Sequence, residues 1–374
     1  MRYYIIAGEA SGDLHASNLM HELKILDKEA EFRVWGGNLM QQQGGQIVKH
    51  YKELAFMGFL EVLMNIRKIK NNFELCRDDL LDFKPDILIL VDYPGFNLRM
   101  AKFAKENNIL TYYYISPKIW AWKKSRARKI KKYIDKMFVI FPFEKDFYKQ
   151  YNYEVFYVGN PLIDELKKKQ TQQQNKESFL KKNNLNNRKI IALLAGSRMQ
   201  ELKYILPEML KTINYFPEYQ FVLAGAPGIE KNAYLPYIKN YPVKLIFNQT
   251  YDLLKHAHAA IVTSGTATLE TAMFNVPQVV VYKLNGLVYE IGKYFIKPKY
   301  FSLVNIIMNK TVVQELLQKN LPQKIKTELS KILYDKKYRQ EMLENYKKLH
   351  QKIGEPGASR RTAEIIYNDL VSKK

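Results

Sequence analysis

The sequence predicts an α/β protein that consists of two domains, each built on a parallel sheet. The chain has 374 residues, which exceeds one ordinary hydrophobic core and suits two domains of about 150 to 200 residues. Apolar residues make up 47% of the chain, which is enough to fill both cores. Short apolar runs alternate with helix-like stretches almost from end to end. This alternation is typical of parallel strands that helices cover on both faces.

The predicted strands form two series, one in each half of the chain. Every strand is short, apolar and followed by a polar or helix-like segment. In the first half they are Arg2–Ala7, Glu31–Trp35, Asp86–Val91, Leu110–Ile115, Met137–Ile140 and Glu154–Val158. In the second half they are Lys189–Leu194, Gln220–Ala224, Val243–Phe247, Ala259–Thr263 and Gln278–Tyr282.

A polar stretch without an apolar period separates the two series, and we interpret it as a linker or an exposed helix. This gives an N-terminal domain at 1–165, a linker at 166–188, a C-terminal domain at 189–350 and a C-terminal helix at 351–374. Ligands of open parallel sheets bind beyond the carboxyl ends of the strands, so two such sheets facing each other would enclose a cleft. The loops that follow strands are therefore the first candidates for function.

Composition and charge limit the class of protein. The 59 lysine and arginine residues exceed the 37 acidic residues and give a formal charge of +22, which favours nucleotides, anionic lipids or nucleic acid as partners. A general lysine bias of the solvated surface explains the charge equally well. The single cysteine, Cys76, suits a reducing compartment, and no apolar run is long enough to span a bilayer. We therefore expect a cytoplasmic protein.

The loop Gly8–Asp13 follows the first predicted strand, where a dinucleotide-binding protein would carry G-x-G-x-x-G. Its two glycines are instead four residues apart, and Glu9 would oppose a pyrophosphate. One interpretation is structural: Ser11 caps the following helix and Asp13 interacts with the helix dipole. This interpretation leaves Glu9 without a role, so we favour a loop that combines capping with ligand binding.

Asp92 stands directly after the strand Asp86–Val91, at the mouth of a buried strand. A carboxylate in this position is held rigidly and is partly desolvated, which raises its basicity toward that of a general base. Alternatively, Asp92 only accepts hydrogen bonds from the turn ahead of Pro94. The sequence supports both interpretations equally.

Two loops in the second half, Ala195–Glu201 and Ser264–Glu270, each join a predicted strand to the start of a helix through small residues. Such loops offer backbone N–H groups and the positive end of a helix dipole to phosphate. Arg198 would add guanidinium donors, and Glu270 lies one helical turn past Thr266, within reach of ribose hydroxyls. Together the loops predict a nucleotide-diphosphate site, although simple helix capping explains either loop alone.

Several motifs are absent from the sequence, which contains no Walker A pattern, G-x-S-x-G elbow, H-E-x-x-H or paired C-x-x-C. His256 and His258 form an H-x-H pair, but no third ligand is suggested nearby, so packing explains them better than a metal does. The sequence also lacks a D-x-D pair of the kind that holds a metal-bound diphosphate. We therefore expect no metal and no cofactor.

Two segments suggest a surface partner. Residues 55–70 are apolar and then basic, which suits either a helix in a bilayer interface or a core helix with a solvated end. Residues 120–132 place two tryptophans beside a basic stretch, which fits a lipid surface or single-stranded nucleic acid equally well. An RNA-binding protein is the alternative from another class, but no RNA-binding motif supports it.

Several collinear stretches extend over most of the chain and are specific when taken together. They are AGEASGD (7–13), ELAFMGFLEVL (53–63), KPDILILVDYPGFN (84–97), YISPKIWAW (114–122), FPFEKDFY (141–148), GSR (196–198), SGTATLE (264–270) and SLVN (302–305). In these stretches the chain resembles the lipid-A-disaccharide synthase family. These are inverting glycosyltransferases with two Rossmann-like domains that face a cleft, the GT-B architecture, in which the last helix often crosses back to the first domain.

The resemblance implies transfer of a 2,3-diacylglucosamine unit from UDP-2,3-diacylglucosamine to 2,3-diacylglucosamine 1-phosphate, with a β-1,6 linkage and release of UDP. It also implies peripheral contact with the inner face of the cytoplasmic membrane, because both substrates carry acyl chains. The side chains expected to make this contact are Phe56, Met57, Phe59, Leu60, Leu63 and Met64. The alternative is another UDP-sugar enzyme of the same architecture, such as an epimerase. The sequence leaves open whether the chain forms a homodimer.

The resemblance, together with the loop positions, assigns a role to each candidate residue. Asp92 would be the general base, with Glu9 and Ser11 beside it in the catalytic site. The residues expected to bind UDP are Gly196, Ser197, Arg198, Glu201, Ser264, Gly265, Thr266, Ala267, Thr268 and Glu270. Those expected to contact the sugars or the acceptor are Asn305, Asn97, Arg126 and Trp122.

Some positions depart from the family pattern. Asn160 stands where the family commonly has histidine, Gly95 replaces a frequent acidic residue, and Ala195 and Val304 replace prolines. A histidine at position 160 would be a competing general base. Its absence therefore favours Asp92 as the base.

Overall fold

The computed structural model describes residues 1–54, 66–117, 119, 126–170, 174–283 and 299–373. The chain forms two compact units. The first contains Met1–Asp164 together with Glu355–Lys374, and the second contains Glu165–Gly354. The first unit is therefore assembled from both ends of the chain.

The first unit is built on a parallel sheet with the strand order β3-β2-β1-β4-β5-β6-β7. Because β1 lies between β2 and β4, the order reverses at the β1/β4 pair, where sheets of this type bind ligands. The strands are β1 (Arg2–Ala7), β2 (Glu31–Gly36), β3 (Gly45–His50), β4 (Ile87–Val91), β5 (Thr111–Tyr114), β6 (Lys136–Val139) and β7 (Phe156–Tyr157).

The second unit repeats this plan, with a parallel sheet in the order β10-β9-β8-β11-β12-β13. Here the order reverses at the β8/β11 pair. The strands are β8 (Ile190–Leu194), β9 (Gln220–Gly225), β10 (Val243–Phe247), β11 (Ala257–Thr263), β12 (Gln278–Tyr282) and β13 (Glu315–Leu317). The predicted α/β class with two Rossmann-like domains is confirmed.

Helices connect the strands and cover the sheets. In the first part of the chain they are α1 (Ala10–Leu26), α2 (Asn38–Gln42), α3 (Ile66–Phe83), α4 (Pro94–Glu106), α5 (Arg126–Tyr133), α6 (Phe143–Lys149), α7 (Pro161–Gln170) and α8 (Lys176–Lys182). They continue as α9 (Met199–Leu210), α10 (Lys231–Ile238), α11 (Thr250–His256), α12 (Thr266–Met273), α13 (Leu303–Met308), α14 (Leu321–Tyr334), α15 (Lys336–Ile353) and α16 (Ala358–Ser372). Short 3-10 turns occur at Tyr51–Glu53 and Ile213–Tyr215. Among the described helices, none has both the length and the apolar character needed to cross a bilayer.

The central strands are buried on both faces, and this explains their continuous apolar sequence. In β1, Tyr4 and Ile6 enter one core cluster, whereas Tyr3 and Ile5 enter the cluster on the opposite face. All four side chains are fully buried. Their alternation fixes which loop residues emerge at the carboxyl end of the strand.

The last helix, α16, completes the core of the first unit. Its residues Ala363, Ile366 and Leu370 lie in the same buried cluster as Leu19 and Leu23 of α1. At its end, Asp369 accepts hydrogen bonds from the ammonium groups of both Lys136 and Lys373. The helix thus returns to the first unit, as the resemblance implied.

The structure differs from the sequence prediction at the linker and at the sheet edges. The segment predicted as a linker, 166–188, contains α8, whose Phe179 is fully buried in the core of the second unit. The strands β3 and β13 were missed. Both are edge strands with mostly half-buried residues, so they lack the continuous apolar run of a central strand.

Candidate active site

Two loops meet where the strand order of the first sheet reverses. Ala7, the last residue of β1, pairs with Val91, the last residue of β4. The segments 8–13 and 92–97, each a short turn followed by the start of a helix, therefore leave the sheet side by side. They carry Glu9, Ser11 and Asp92, the three residues predicted for catalysis.

The packing of Gly8 against Tyr93 brings these loops into contact. A Cβ atom at position 8 would lie 2.3 Å from the ring of Tyr93, so only glycine fits there. Burial raises the pKa of Tyr93, and the charge of the exposed Glu9 raises it further. Glu9 therefore lies near the loop that carries Asp92.

Asp92 has an unusual backbone that neighbouring side chains hold in place. Asp92 and Tyr93 adopt φ angles of 46° and 48°, in the left-handed region that non-glycine residues rarely occupy. The Asp92 carbonyl accepts a hydrogen bond from the Tyr113 hydroxyl and another, of 2.7 Å, from Nδ2 of Asn97. Strained backbone that is held by buried donors is frequent at active sites.

Arg126, at the start of α5, lies in the same neighbourhood. Burial raises the pKa of Tyr113 far above its ordinary value, the charge of Asp92 raises it further, and Arg126 opposes this effect. A carboxylate and a guanidinium group thus act on one buried hydroxyl. The structure places both Asp92 and Arg126 near Tyr113, although α4 and β5 separate them in the sequence.

Two predictions for the first unit need correction. Ser11 does not cap α1, because the helix already begins at Ala10 and Ser11 lies exposed in its first turn. The buried Asp13 instead accepts a 2.8 Å hydrogen bond from the backbone N–H of Gly37, in the loop before α2. Asn97 was predicted to contact the acceptor, but it is fully buried and supports the backbone of Asp92.

Asn160, at the position where the family commonly has histidine, has a structural role. Its side chain is 4% exposed, and Oδ1 accepts a 3.0 Å hydrogen bond from the N–H of Leu162 in the first turn of α7. Asparagine is a favourable residue at such a helix start. The amide therefore satisfies a backbone donor at the start of this helix.

In the second unit, the loop after β8 is organised by Glu201. Its Oε2 accepts hydrogen bonds from the backbone N–H groups of Ser197 (2.8 Å) and Arg198 (3.2 Å). Gly196 has a φ of +99°, and a Cβ there would come within 2.3 Å of the same Oε2. Glu201 therefore shapes the predicted phosphate loop from within, and its carboxylate occupies N–H groups that were expected to face UDP.

The loop after β11 presents an exposed helix start. Gly265 and Thr266 are exposed at the beginning of α12, and Ala267 follows as a partly buried residue. The hydroxyl of Thr268 is buried and donates to the Gly265 carbonyl (2.7 Å), while that of Ser264 donates to the Phe301 carbonyl (3.0 Å). Only the exposed part of the loop is therefore accessible to a ligand, and the hydroxyls of Ser264 and Thr268 stabilise its shape.

A cavity of about 450 Å³ lies next to this loop in the second unit. Glu270 lines it, and Oε1 of Glu270 accepts a 3.0 Å hydrogen bond from the Tyr251 hydroxyl. Burial raises the pKa of Glu270, whereas the hydrogen bond from Tyr251 and the charge of Lys169 lower it. The residues that line the cavity are Lys169, Pro227, Asn248, Gln249, Thr250, Tyr251, Asp252 and Glu270.

Asn305 was predicted to contact a sugar, and the structure shows a different role. The side chain is fully buried. Its Nδ2 donates to the Val313 carbonyl and to Glu315, both at 2.8 Å, and its Oδ1 accepts from the N–H groups of Val312 and Val313. Because the amide uses both its donors and its acceptor within the protein, Asn305 stabilises the loop before β13 instead of binding substrate.

The remaining predicted contacts lie outside the described residues. They are Trp122 and the apolar side chains Phe56, Met57, Phe59, Leu60, Leu63 and Met64. Sequence reasoning also missed Tyr93, Tyr113, Tyr251 and Lys169. The sequence did contain a signal for Tyr113, because the hydroxyl groups of three consecutive tyrosines in a buried strand need hydrogen-bond partners.

Comparison with known proteins extends over nearly the whole chain. The family model described as lipid-A-disaccharide synthetase matches residues 3–366. The lipid-A-disaccharide synthase of Trichlorobacter lovleyi is 35% identical, covering 98% of this chain and 97% of that protein. The enzyme of the same name from Nitrosococcus oceani is 38% identical, covering 96% of this chain and 94% of that protein.

A solved structure shows the same fold at much lower identity. UDP-GlcNAc 2-epimerase from Neisseria meningitidis, bound to UDP-GlcNAc, has a TM-score of 0.69 and 15% identity, covering 98% of this chain and 100% of that chain. This likeness concerns the fold alone. The family match and the two relatives confirm the resemblance that the sequence motifs indicated: the chain belongs to the lipid-A-disaccharide synthase family of glycosyltransferases.

Proposed function

We propose that the chain transfers the diacylglucosamine unit of UDP-2,3-diacylglucosamine to the 6-hydroxyl of 2,3-diacylglucosamine 1-phosphate. The products are a β-1,6-linked disaccharide 1-phosphate, which is a precursor of lipid A, and UDP. The observation that carries this proposal is the family match over residues 3–366. The side chain of Asp92 in the first unit and that of Glu270 in the second each support it, since the reaction needs a base for a hydroxyl and a site for a nucleotide.

The proposed chemistry is a single displacement at the anomeric carbon. The carboxylate of Asp92 accepts the proton of the acceptor 6-hydroxyl while its oxygen bonds to the anomeric carbon. The bond from that carbon to the diphosphate breaks in the same step, and UDP leaves with the electron pair. Attack opposite the leaving group inverts the configuration and needs no covalent enzyme intermediate. Glu9, which lies near this loop, would bind sugar hydroxyls.

The second unit would hold the donor. The exposed start of α12 and the guanidinium group of Arg198 would stabilise the charge that develops on the diphosphate. The carboxylate of Glu270 would accept hydrogen bonds from ribose hydroxyls inside the cavity. In this arrangement the charge of the leaving group would be neutralised by side-chain and backbone donors. Arg126 would bind the 1-phosphate of the acceptor.

Both substrates carry acyl chains, so we also propose a peripheral contact with the inner face of the cytoplasmic membrane. The apolar and basic segment 55–70 would enter the interface, and the formal charge of +22 would favour anionic headgroups.

The deciding experiment measures UDP release with UDP-2,3-diacylglucosamine, in the presence and absence of the acceptor lipid. We expect UDP release only when the acceptor is present, together with formation of the disaccharide. A UDP-sugar epimerase would convert the donor without the acceptor. An RNA-binding protein would show no turnover and would instead bind RNA much more tightly than expected from its charge.

A further inference from the structure

The hydroxyl group of Tyr251, in the second unit, has no role in the proposed chemistry, although it contacts Glu270, the residue proposed to bind the ribose of the donor. The hydroxyl of Tyr251, on α11, donates to Oε1 of Glu270 at 3.0 Å. The ammonium group of Lys169, on α7, lies 4.8 Å from the centre of the Tyr251 ring. All three side chains line the same cavity of about 450 Å³.

We propose that Tyr251 is a positioning residue for donor binding, which keeps the Glu270 carboxylate ionised and directed toward the ribose hydroxyls with support from Lys169. This inference rests on the proposed function, because it takes Glu270 as the ribose ligand. A carboxylate accepts hydrogen bonds with both oxygens. With one oxygen held by Tyr251, the other is presented in a fixed direction.

The charges around Glu270 decide its ionisation. Burial raises its pKa, and the hydrogen bond from Tyr251 and the charge of Lys169 oppose this rise. Two further acidic groups lie nearby: Glu165 raises the pKa of Tyr251, and Asp252, which also lines the cavity, accepts a hydrogen bond from the N–H of Gln174. Glu270 is the only charged residue of α12 itself. Removal of the Tyr251 hydroxyl therefore leaves burial less opposed and raises the pKa of Glu270.

The direction of the pH dependence follows from this change. The ionised form, which binds ribose, is complete above the pKa of Glu270 and is lost as the pH falls through it. In Tyr251→Phe this loss begins at a higher pH. The substitution keeps the ring, which stacks on Phe274 at 5.5 Å between ring centres, so the packing of the cavity wall is preserved.

The test measures the Kd of UDP by calorimetry with the full chain, from about pH 5 to about pH 8. The matched control is Tyr338→Phe, because Tyr338 likewise donates to a glutamate, Glu328, in the same unit but does not line the cavity. Taking the ratio of the two Kd values at each pH cancels the titration of UDP itself. We expect this ratio to rise as the pH falls, to about tenfold for the loss of a hydrogen bond to a charged group.

Two outcomes would overturn the inference. If the ratio exceeds one but does not change with pH, Tyr251 supports the structure of the cavity without affecting the ionisation of Glu270. If the ratio is one at every pH, Tyr251 has no role in donor binding. Glu270→Gln separates this failure from failure of the proposed function. If Glu270→Gln binds UDP as the unchanged protein does at every pH, Glu270 is not the ribose ligand and the proposed donor site itself is wrong.

Discussion

Asp92 illustrates how single residues prepare this site before a substrate binds. Its left-handed backbone and that of Tyr93 cost about 1–3 kcal/mol each, which the rest of the fold must offset. The hydroxyl of Tyr113 and the amide of Asn97 hold its carbonyl from the buried side of the loop. The backbone from which the Asp92 side chain emerges is therefore held by the protein, which would favour one orientation of a base toward a hydroxyl.

Replacement of Asp92 by asparagine keeps the shape of the side chain but removes the proton acceptor. We expect kcat to fall by at least about 10²-fold while the Kd of UDP stays unchanged. Asp135→Asn is the control, because Asp135 accepts a backbone hydrogen bond from Thr111 at the opposite end of the same sheet. If Asp92→Asn retains a near-normal rate, the base is another group, and Glu9 is the next candidate.

Asn305, unlike Asp92, stabilises the fold through buried hydrogen bonds and has no proposed role in the reaction. Asn305→Ala leaves the buried N–H groups of Val312 and Val313 without their acceptor. We expect the free energy of unfolding to fall by about 3 kcal/mol, measured by denaturant titration. The KM for the acceptor should not change in the folded fraction. A raised KM without loss of stability would instead return Asn305 to the substrate site.

At the scale of elements, the position of the site follows from strand order. In each sheet the order reverses beside its first strand, and the loops after the two strands at that point carry the candidate residues. The loops after β1 and β4 must approach each other closely, and Gly8 permits this approach. The contact between Gly8 and Tyr93 therefore couples the two loops.

Gly8→Ala tests this coupling. The added Cβ would overlap the Tyr93 ring at 2.3 Å, so the loop that carries Asp92 must shift. Since a displacement of about 1 Å can lower a rate by about 10²-fold, we expect a large loss of kcat with little change in the Kd of UDP. Gly95→Ala is the matched control, because Gly95 lies two residues after Tyr93 in the first turn of α4 and a Cβ there meets no atom within 4 Å. Equal rates for both variants would contradict the coupling.

The central strands could be predicted from the sequence because burial on both faces requires continuous apolar runs, as in β4 and β8. The edge strands β3 and β13 could not, since their partly buried residues do not produce such runs. The candidate loops were also predictable, because they follow those apolar runs. The partners of the loop residues were not: Tyr251 meets Glu270 from a different helix, and only tertiary packing brings the two together.

At the scale of the whole molecule, charge and apolar surface must act together if the chain works at a membrane. In that case the net charge of +22 would provide attraction to anionic lipids that salt screens, whereas the apolar part of segment 55–70 would provide attraction that salt does not screen. The two contributions can therefore be separated by experiment.

Co-sedimentation with vesicles that contain phosphatidylglycerol measures both contributions. We expect binding to weaken when NaCl is raised from about 0.05 M to about 0.5 M. We also expect the double variant Leu60→Ser, Leu63→Ser to bind more weakly at both salt concentrations. Val371→Ser is the control, because Val371 is an apolar residue that is 49% exposed elsewhere in the chain. Unchanged binding of the double variant would exclude this segment from the membrane contact.

The return of α16 to the first unit affects how this protein folds during its own translation. During translation, β1 to β7 leave the ribosome well before α16 does, and the second unit is made in between. Until α16 arrives, the face of α1 that carries Leu19 and Leu23 lacks its final covering helix. The unit whose synthesis begins first is therefore the last to be completed, and until α16 is made its nascent form exposes apolar surface of the kind that promotes aggregation.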